Sequence, residues 1–168
     1  LYARSTCDGE YTDWSNVLVV RTACLELRSL PFVDGFEDQI ASAGQPSCWN
    51  VYYSASAEYP KLSSSYYHTG KRTVYIYASS SAASYLVTPE LDVKNISKTL
   101  VSFYMRPSAT NVDKAIIVGV VSNLNDIPGS FVAVDTIIVN QGTATHELQV
   151  VSLESYEGTG KYVAFTTD

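Results

Sequence analysis

TLVSFYMR (residues 99–106), AIIVGVV (115–121) and KYVAFTT (161–167) are the stretches that decide the fold class. Successive side chains of an extended strand point to opposite faces, so a strand with one buried face reads as alternation. In the first stretch Val101, Phe103 and Met105 fall on one side, and Leu100, Ser102, Tyr104 and Arg106 on the other. In the third, Val163 and Phe165 oppose Tyr162 and Ala164. The second is apolar almost throughout, as expected of a central strand covered on both faces. Residues 130–136 alternate as well, with Phe131, Ala133 and Asp135 against Val132, Val134 and Thr136. β-branched and aromatic residues dominate these runs, and helical periodicity is nearly absent.

Turn signals punctuate the strands at Arg106-Pro107-Ser108, Ile127-Pro128-Gly129, Asn140-Gln141-Gly142 and Glu157-Gly158. Many short strands at such spacing predict an all-β chain folded as an antiparallel β-sandwich. The chain has 168 residues, of which 46% are apolar, enough for one domain, or one domain plus part of another. Only 17% are charged, and Ser, Thr and Tyr take over the surface, a composition common in extracellular β-proteins.

The formal charge is −6, from 11 basic and 17 acidic residues. Lys71-Arg72 is the only adjacent basic pair, so the clustered positive charge that nucleic-acid binding requires is missing. Anionic membrane surfaces are disfavoured on the same ground. No apolar run approaches the roughly 20 residues that span a bilayer as a helix, so no membrane insertion is expected.

Residues 1–24 form a block that ends in an expected strand, Val17 to Thr22. Residues 25–30 read as a linker, and residues 31–168 as the sandwich. The first block, YARSTCDGEYTDWSNVLVVRTAC, resembles the last two strands of a fibronectin type III domain. Tyr2 and Arg4, a turn at Asp8-Gly9, and Trp14-Ser15 before the final strand carry this likeness. Twenty-four residues cannot close a sandwich, so the block is expected to be the end of a domain that begins elsewhere, or a strand pair used by the next domain.

The second block resembles the cleaved-adhesin and MAM-like jelly-roll modules (galactose-binding-like sandwiches) of Bacteroidetes surface and secreted proteins. Leu30-Pro31-Phe32 with Gly35-Phe36-Glu37-Asp38 matches their opening, and Pro46-Ser47-Cys48-Trp49 the segment after it. Tyr85 to Asp92 (YLVTPELD) and Leu100 to Arg106 match two central strands. Val151-Ser152-Leu153, Tyr156-Glu157-Gly158 and Tyr162 to Phe165 match the last part. The order is the family's and the match covers residues 30–166. Such modules end in a further strand with an acidic motif, which this chain does not contain. The sandwich is therefore expected to be truncated at its C-terminus.

The resemblance implies that Glu37 and Asp38 help to bind a structural calcium ion, since calcium takes six to eight hard oxygen ligands. A solvated acidic turn is the plain alternative. Asn123, Asn125 and Asp126 with Gly129 read as an ordinary turn. Of the three cysteines, Cys24 and Cys48 are the preferred disulfide pair. Cys7–Cys24, or three reduced thiols, are the alternatives, and the spacing fits no zinc pattern.

Tyr52, Tyr53, Tyr59, Tyr66, Tyr67, Tyr75, Tyr77 and Tyr85 crowd one part of the chain. An exposed Tyr combines apolar area with a hydroxyl, and a flat ring suits a sugar. Tyr52, Tyr53, Tyr66 and Tyr67 are the candidate ligand-binding residues, against ordinary strand packing. Trp49 reads as core. Asn95-Ile96-Ser97 fits a glycosylation sequon that carries no meaning in a bacterial protein.

No G-x-S-x-G occurs, and His146-Glu147 does not extend to H-E-x-x-H because position 150 is Val. Glu37, Glu58 and Glu90 are acids that glycoside hydrolysis could recruit in any fold, but nothing nominates them. The chain is expected to be a non-catalytic binding or adhesion module of a multidomain surface or secreted protein. A carbohydrate-binding accessory domain of a secreted hydrolase and a structural spacer are the alternatives.

Overall fold

The computed structural model describes residues 6–7, 10–11, 24, 27–39, 44–54, 58, 60–77, 83–107, 114–138 and 145–168. Tyr2, Arg4, the Trp14-Ser15 pair, the expected strand Val17 to Thr22, Tyr59 and the Asn140-Gln141-Gly142 turn lie outside the described residues. The strands in chain order are β1 (Thr6–Cys7), β2 (Glu10–Tyr11), β3 (Leu27–Arg28), β4 (Asn50–Tyr53), β5 (Lys61–Ser63), β6 (Thr73–Tyr75) and β7 (Ser84–Val87). They continue with β8 (Glu90–Leu91), β9 (Leu100–Met105), β10 (Ala115–Val121), β11 (Phe131–Ile138), β12 (Glu147–Ser152) and β13 (Tyr162–Thr167).

The main sheet has five strands in the order β11-β10-β13-β7-β4, each pair antiparallel. The apolar run of β10 lies between β11 and β13, the central place its composition demands. Facing this sheet is the antiparallel pair β9–β12. The main core lies between the two: Leu86, Val118, Val120, Val163 and Phe165 from the large sheet meet Val151, with Val101 and Phe103 packed against them. Phe103 and Phe165 touch edge to face, with centroids 5.1 Å apart and planes at 80°. The chain is thus an all-β antiparallel sandwich.

The opposite face of the large sheet carries a second cluster, Val87, Val121, Ile127 and Ala164, with Tyr52, Tyr85, Phe131 and Tyr162 against it. Val163 and Phe165 sit in one cluster and Ala164 in the other, as the alternation of β13 predicts. Ile127–Ser130, expected as a turn, forms a one-turn helix (α1). The preceding 3-10 turn, Leu124–Asp126, is capped by Asn123, whose side chain accepts from the Asn125 N–H. Asp126 in turn accepts from the Gly129 N–H at 3.0 Å.

β11 departs from simple alternation. Its register against β10 shifts between Val118 and Gly119, so that Gly119 pairs with Ala133 and Val118 with Asp135, leaving Val134 as the extra residue. A bulge of this kind turns the strand. Val134 and Ile137, three residues apart, therefore both pack on the main core. Gly119 permits the close approach, because a Cβ there would run into the Phe131 ring and the Val132 carbonyl.

Within the segment read as a linker, Leu27–Arg28 forms a strand parallel to Glu90–Leu91. The Asp92 N–H donates to the Arg28 carbonyl at 2.6 Å. Two residues suffice because the ladder, rather than the side chains, supplies the pairing. β1 and β2 pair antiparallel, and the Asp8-Gly9 turn expected between them lies outside the described residues.

Candidate functional site

The site is built on the outer face of β9–β12 and the loop between β5 and β6. In a sandwich the face turned from the core is normally polar. Here it carries Leu100, Tyr104, Leu148 and Val150, which are 70%, 51%, 54% and 58% exposed. The register sets Tyr104 directly opposite Leu148, and Ser102 opposite Val150. Their neighbours in sequence, Val101, Phe103 and Val151, face the core. The outward apolar row is therefore a consequence of register and cannot be turned inward without exposing the core row. At the end of this face an open groove of about 360 Å³ is lined by Ser97, Lys98, Thr99, Leu100, Ser152 and Glu154.

The loop between Ser63 and Thr73 folds against the other end. It carries Tyr66, Tyr67 and His68, all exposed. His68 stacks on Tyr104 with ring centroids 3.6 Å apart and planes at 11°. Arg106, the next outward residue of β9's alternation, places its guanidinium 4.5 Å from the centre of the Tyr66 ring. His146, just before β12, bonds the Tyr66 carbonyl through Nε2 at 2.9 Å. Tyr66 meets Tyr75 at 6.4 Å, edge on, and Tyr75 in turn meets Tyr77 at 6.3 Å. Burial, and then the neighbouring Tyr66, push the Tyr75 hydroxyl above its ordinary range. Lys61 sits 4.8 Å from the centre of the Tyr77 ring and pairs with Glu58 at 2.7 Å. Its hydrogen bond to Glu58, and then that to Tyr77, raise its pKa.

Glu37 ties down the far end of this loop. Its carboxylate accepts the Lys71 N–H at 2.8 Å through one oxygen and the Arg72 N–H at 3.2 Å through the other. Gly70 lies against the same carboxylate with φ +73°, a conformation that favours glycine, and a Cβ there would run into the carboxylate. Arg72 Nε donates to the Gln39 carbonyl at 3.1 Å. Asp38 is exposed beside Glu37. Among the described residues no three His, Cys, Asp or Glu side chains gather into a metal-holding group. Each Glu37 oxygen accepts one backbone N–H and keeps a second lone pair.

Tyr52 and Tyr53 sit elsewhere. Tyr52 is half-buried in the second cluster, edge on to Tyr85 at 6.0 Å, and Tyr85 continues to Phe131 at 5.2 Å. Tyr53, 43% exposed, ends β4 opposite Ser84. The structure therefore gathers Tyr66 with the β9–β12 face, leaves Tyr67 exposed in the same loop, and places Tyr52 in the packing of the other face. His68, Tyr104, Arg106, His146, Leu148 and Val150 are the members that the reading of the sequence missed. The alternation of β9 already put Tyr104 and Arg106 on one outward face. The His68–Tyr104 stack has no local signal.

Cys24 and Cys48 are joined by a disulfide, with Cα atoms 5.2 Å apart. Next to it Trp49 packs partly buried against the main core and meets the rings of Phe36 and Phe32 at 5.2 and 6.1 Å. Its indole N–H donates to Asp34 at 2.8 Å, and the other Asp34 oxygen accepts the Phe36 N–H at 2.7 Å. Glu90 receives Lys161 at 3.1 Å and the Tyr162 hydroxyl at 3.2 Å. Burial first, and then Glu90, raise the pKa of Tyr162. The Asn95 side chain caps the short turn Ile96–Lys98, accepting from both the N–H and the hydroxyl of Ser97 at 2.9 and 2.7 Å.

No family model matches the chain and no curated protein matches it. Among solved structures it is similar to the K1 cleaved adhesin domain of Lys-gingipain (Kgp) from Porphyromonas gingivalis W83. The identity is 21%, the TM-score 0.58, and the match covers 80% of this chain and 88% of that one. At this identity the likeness speaks for the fold.

Proposed function

We propose that the chain is a non-catalytic contact module of a secreted or cell-surface bacterial protein, binding a host or matrix protein through the outer face of β9–β12 and the β5–β6 loop. One observation carries this reading: a sheet face that should be polar instead presents Leu100, Tyr104, Leu148 and Val150 to solvent, rimmed by Tyr66 and Arg106. Contiguous exposed apolar surface of this kind marks interaction sites, and Tyr and Arg are the residues enriched where binding energy concentrates. The structural neighbour is described as a cleaved adhesin domain, which supports adhesion as the role. The acids that a hydrolase could recruit have structural partners: Glu37 holds the loop, Glu58 pairs with Lys61, and Glu90 binds Lys161 and Tyr162.

A glycan is the second reading. The open groove at the end of the face, lined by polar side chains that include Lys98, Ser152 and Glu154, favours it. Calcium at Glu37 and Asp38 rests on the family resemblance alone; melting the protein in calcium and in a chelator tests it, and equal curves reject it.

Solid-phase binding to matrix proteins and a glycan array, run with the parent chain and with Tyr66→Ala/Tyr67→Ala and Tyr104→Ser/Leu148→Ser variants, tests the proposal. Truncating centrally placed anchors costs about 2 kcal/mol or more, roughly thirtyfold in affinity. Binding that both variants leave unchanged, with unaltered circular dichroism, rejects this face. A signal confined to glycans selects the second reading.

A further inference from the structure

The chain contains two histidines, and the fold sets them side by side. The rings of His68 and His146 have centroids 5.3 Å apart and planes at 62°. Each ring is held by a separate device. His68 is exposed and lies flat on Tyr104, whose ring covers one face of the imidazole. His146 Nε2 is 2.9 Å from the Tyr66 carbonyl oxygen. A carbonyl oxygen only accepts, so Nε2 carries the proton, and in the neutral ring the lone pair lies on Nδ1. This is how a metal-binding imidazole is prepared: one N–H donates to a backbone carbonyl, fixing tautomer and orientation, and the other nitrogen is the ligand.

The spacing agrees with that use. Two imidazoles on one tetrahedral ion, with metal–nitrogen bonds of about 2.0–2.1 Å, have ring centroids about 5 Å apart. The observed separation is 5.3 Å.

We propose that His68 and His146 form a two-imidazole site for a divalent transition-metal ion of the zinc or copper class. Imidazole suits these ions, whereas calcium and magnesium prefer oxygen. Among the described residues no group of three metal-binding side chains includes this pair. The two imidazoles fill two positions of a four-coordinate ion, and water or a donor atom on a bound partner completes it. The site also has a local consequence. An ion there cross-links the β5–β6 loop to the residue before β12, adding a second tie to the loop that Glu37 holds at Lys71 and Arg72. The site goes beyond the contact reading and does not rest on it.

The test uses the full chain without a histidine tag. Zinc is titrated calorimetrically, and copper binding is followed by electron paramagnetic resonance. Gln in place of either His retains an amide and the surface polarity, so the fold is preserved. Matched circular dichroism and melting without metal verify that. The expected result is saturable binding of one ion per chain, about tenfold or more weaker in both His68→Gln and His146→Gln, with nitrogen couplings from two imidazoles in the copper spectrum. Binding also weakens on acidification, because both rings must be neutral to act as ligands. No saturable binding, binding indifferent to either substitution, or a spectrum with a single imidazole nitrogen overturns the proposal.

Discussion

Replacing Cys24 and Cys48 together by Ser removes the cross-link that closes a loop with a sequence separation of 24. In the chain-entropy model a loop of that length restricts the unfolded ensemble by about 3 kcal/mol. The native cost of the change is small, because Cys24 is exposed and Cys48 only half-buried. Trp49 and Phe32, which pack beside the bridge on the main core, keep their own contacts. The double variant is therefore expected to keep the fold and to lose about 3 kcal/mol. For a chain of this size that lowers the melting temperature by about 10 °C, at roughly 2–4 °C per kcal/mol. Urea denaturation of parent and variant, with the parent's bridge intact, measures the difference. Thiol titration of the unfolded, unreduced parent should find one free thiol, that of Cys7. Three thiols per chain, or a variant as stable as the parent, refutes the bridge as a staple. A loss well beyond about 5 kcal/mol refutes the entropic account, since packing would then be failing.

Glu37→Gln keeps the shape of the loop anchor but presents an amide NH₂ to one of the two N–H donors. It should cost about 1 kcal/mol and speed hydrogen exchange at the Lys71 and Arg72 amides; unchanged exchange there would show that the anchor is idle. Gly119→Ala drives a Cβ into the Phe131 ring and the Val132 carbonyl and should cost about 1–3 kcal/mol, measured by chemical denaturation; a neutral result refutes the tight approach at the bulge. Burial raises the pKa of Tyr75, Tyr85 and Tyr162 in the folded chain. The folded state holds these protons more tightly than the unfolded one. Their contribution is thus fully present below the ordinary tyrosine value near 10 and is lost as pH rises through the raised folded values. Denaturation midpoints from about pH 9 to 11 should fall as tyrosinate absorbance grows, and a flat profile would count against buried hydroxyls.

Much of the architecture was legible because strand alternation is a property of neighbouring residues. In β9 and β13 each residue's facing followed from the one before it, and the apolar run of β10 announced a strand covered twice. Trp49 read as core and packs there, held also by Asp34. The rule failed in β11, where the bulge opposite Gly119 brings Val134 and Ile137 to one core; a bulge is a relation between two strands, and one strand's pattern does not contain it. Leu27–Arg28 looked like a linker because two residues are too few to show a period, and their partner lies at Glu90–Leu91. The candidate site was half legible. Tyr66 and Tyr67 stood out as tyrosines on a polar stretch, but composition treated Tyr52 alike, and only packing separates a ring edge-on to Tyr85 from one under Arg106.

What the sequence determined by itself was the class of the chain and the facing of its regular strands, since both depend on side-chain chemistry repeated at a spacing of two. The tertiary structure decided which strands are neighbours, that Glu37 reaches the loop at Lys71, and that His68 and His146 meet. Those outcomes depend on closing loops between distant positions, and the free energy of that closure comes from the shared core between the sheets, which no local stretch of residues possesses.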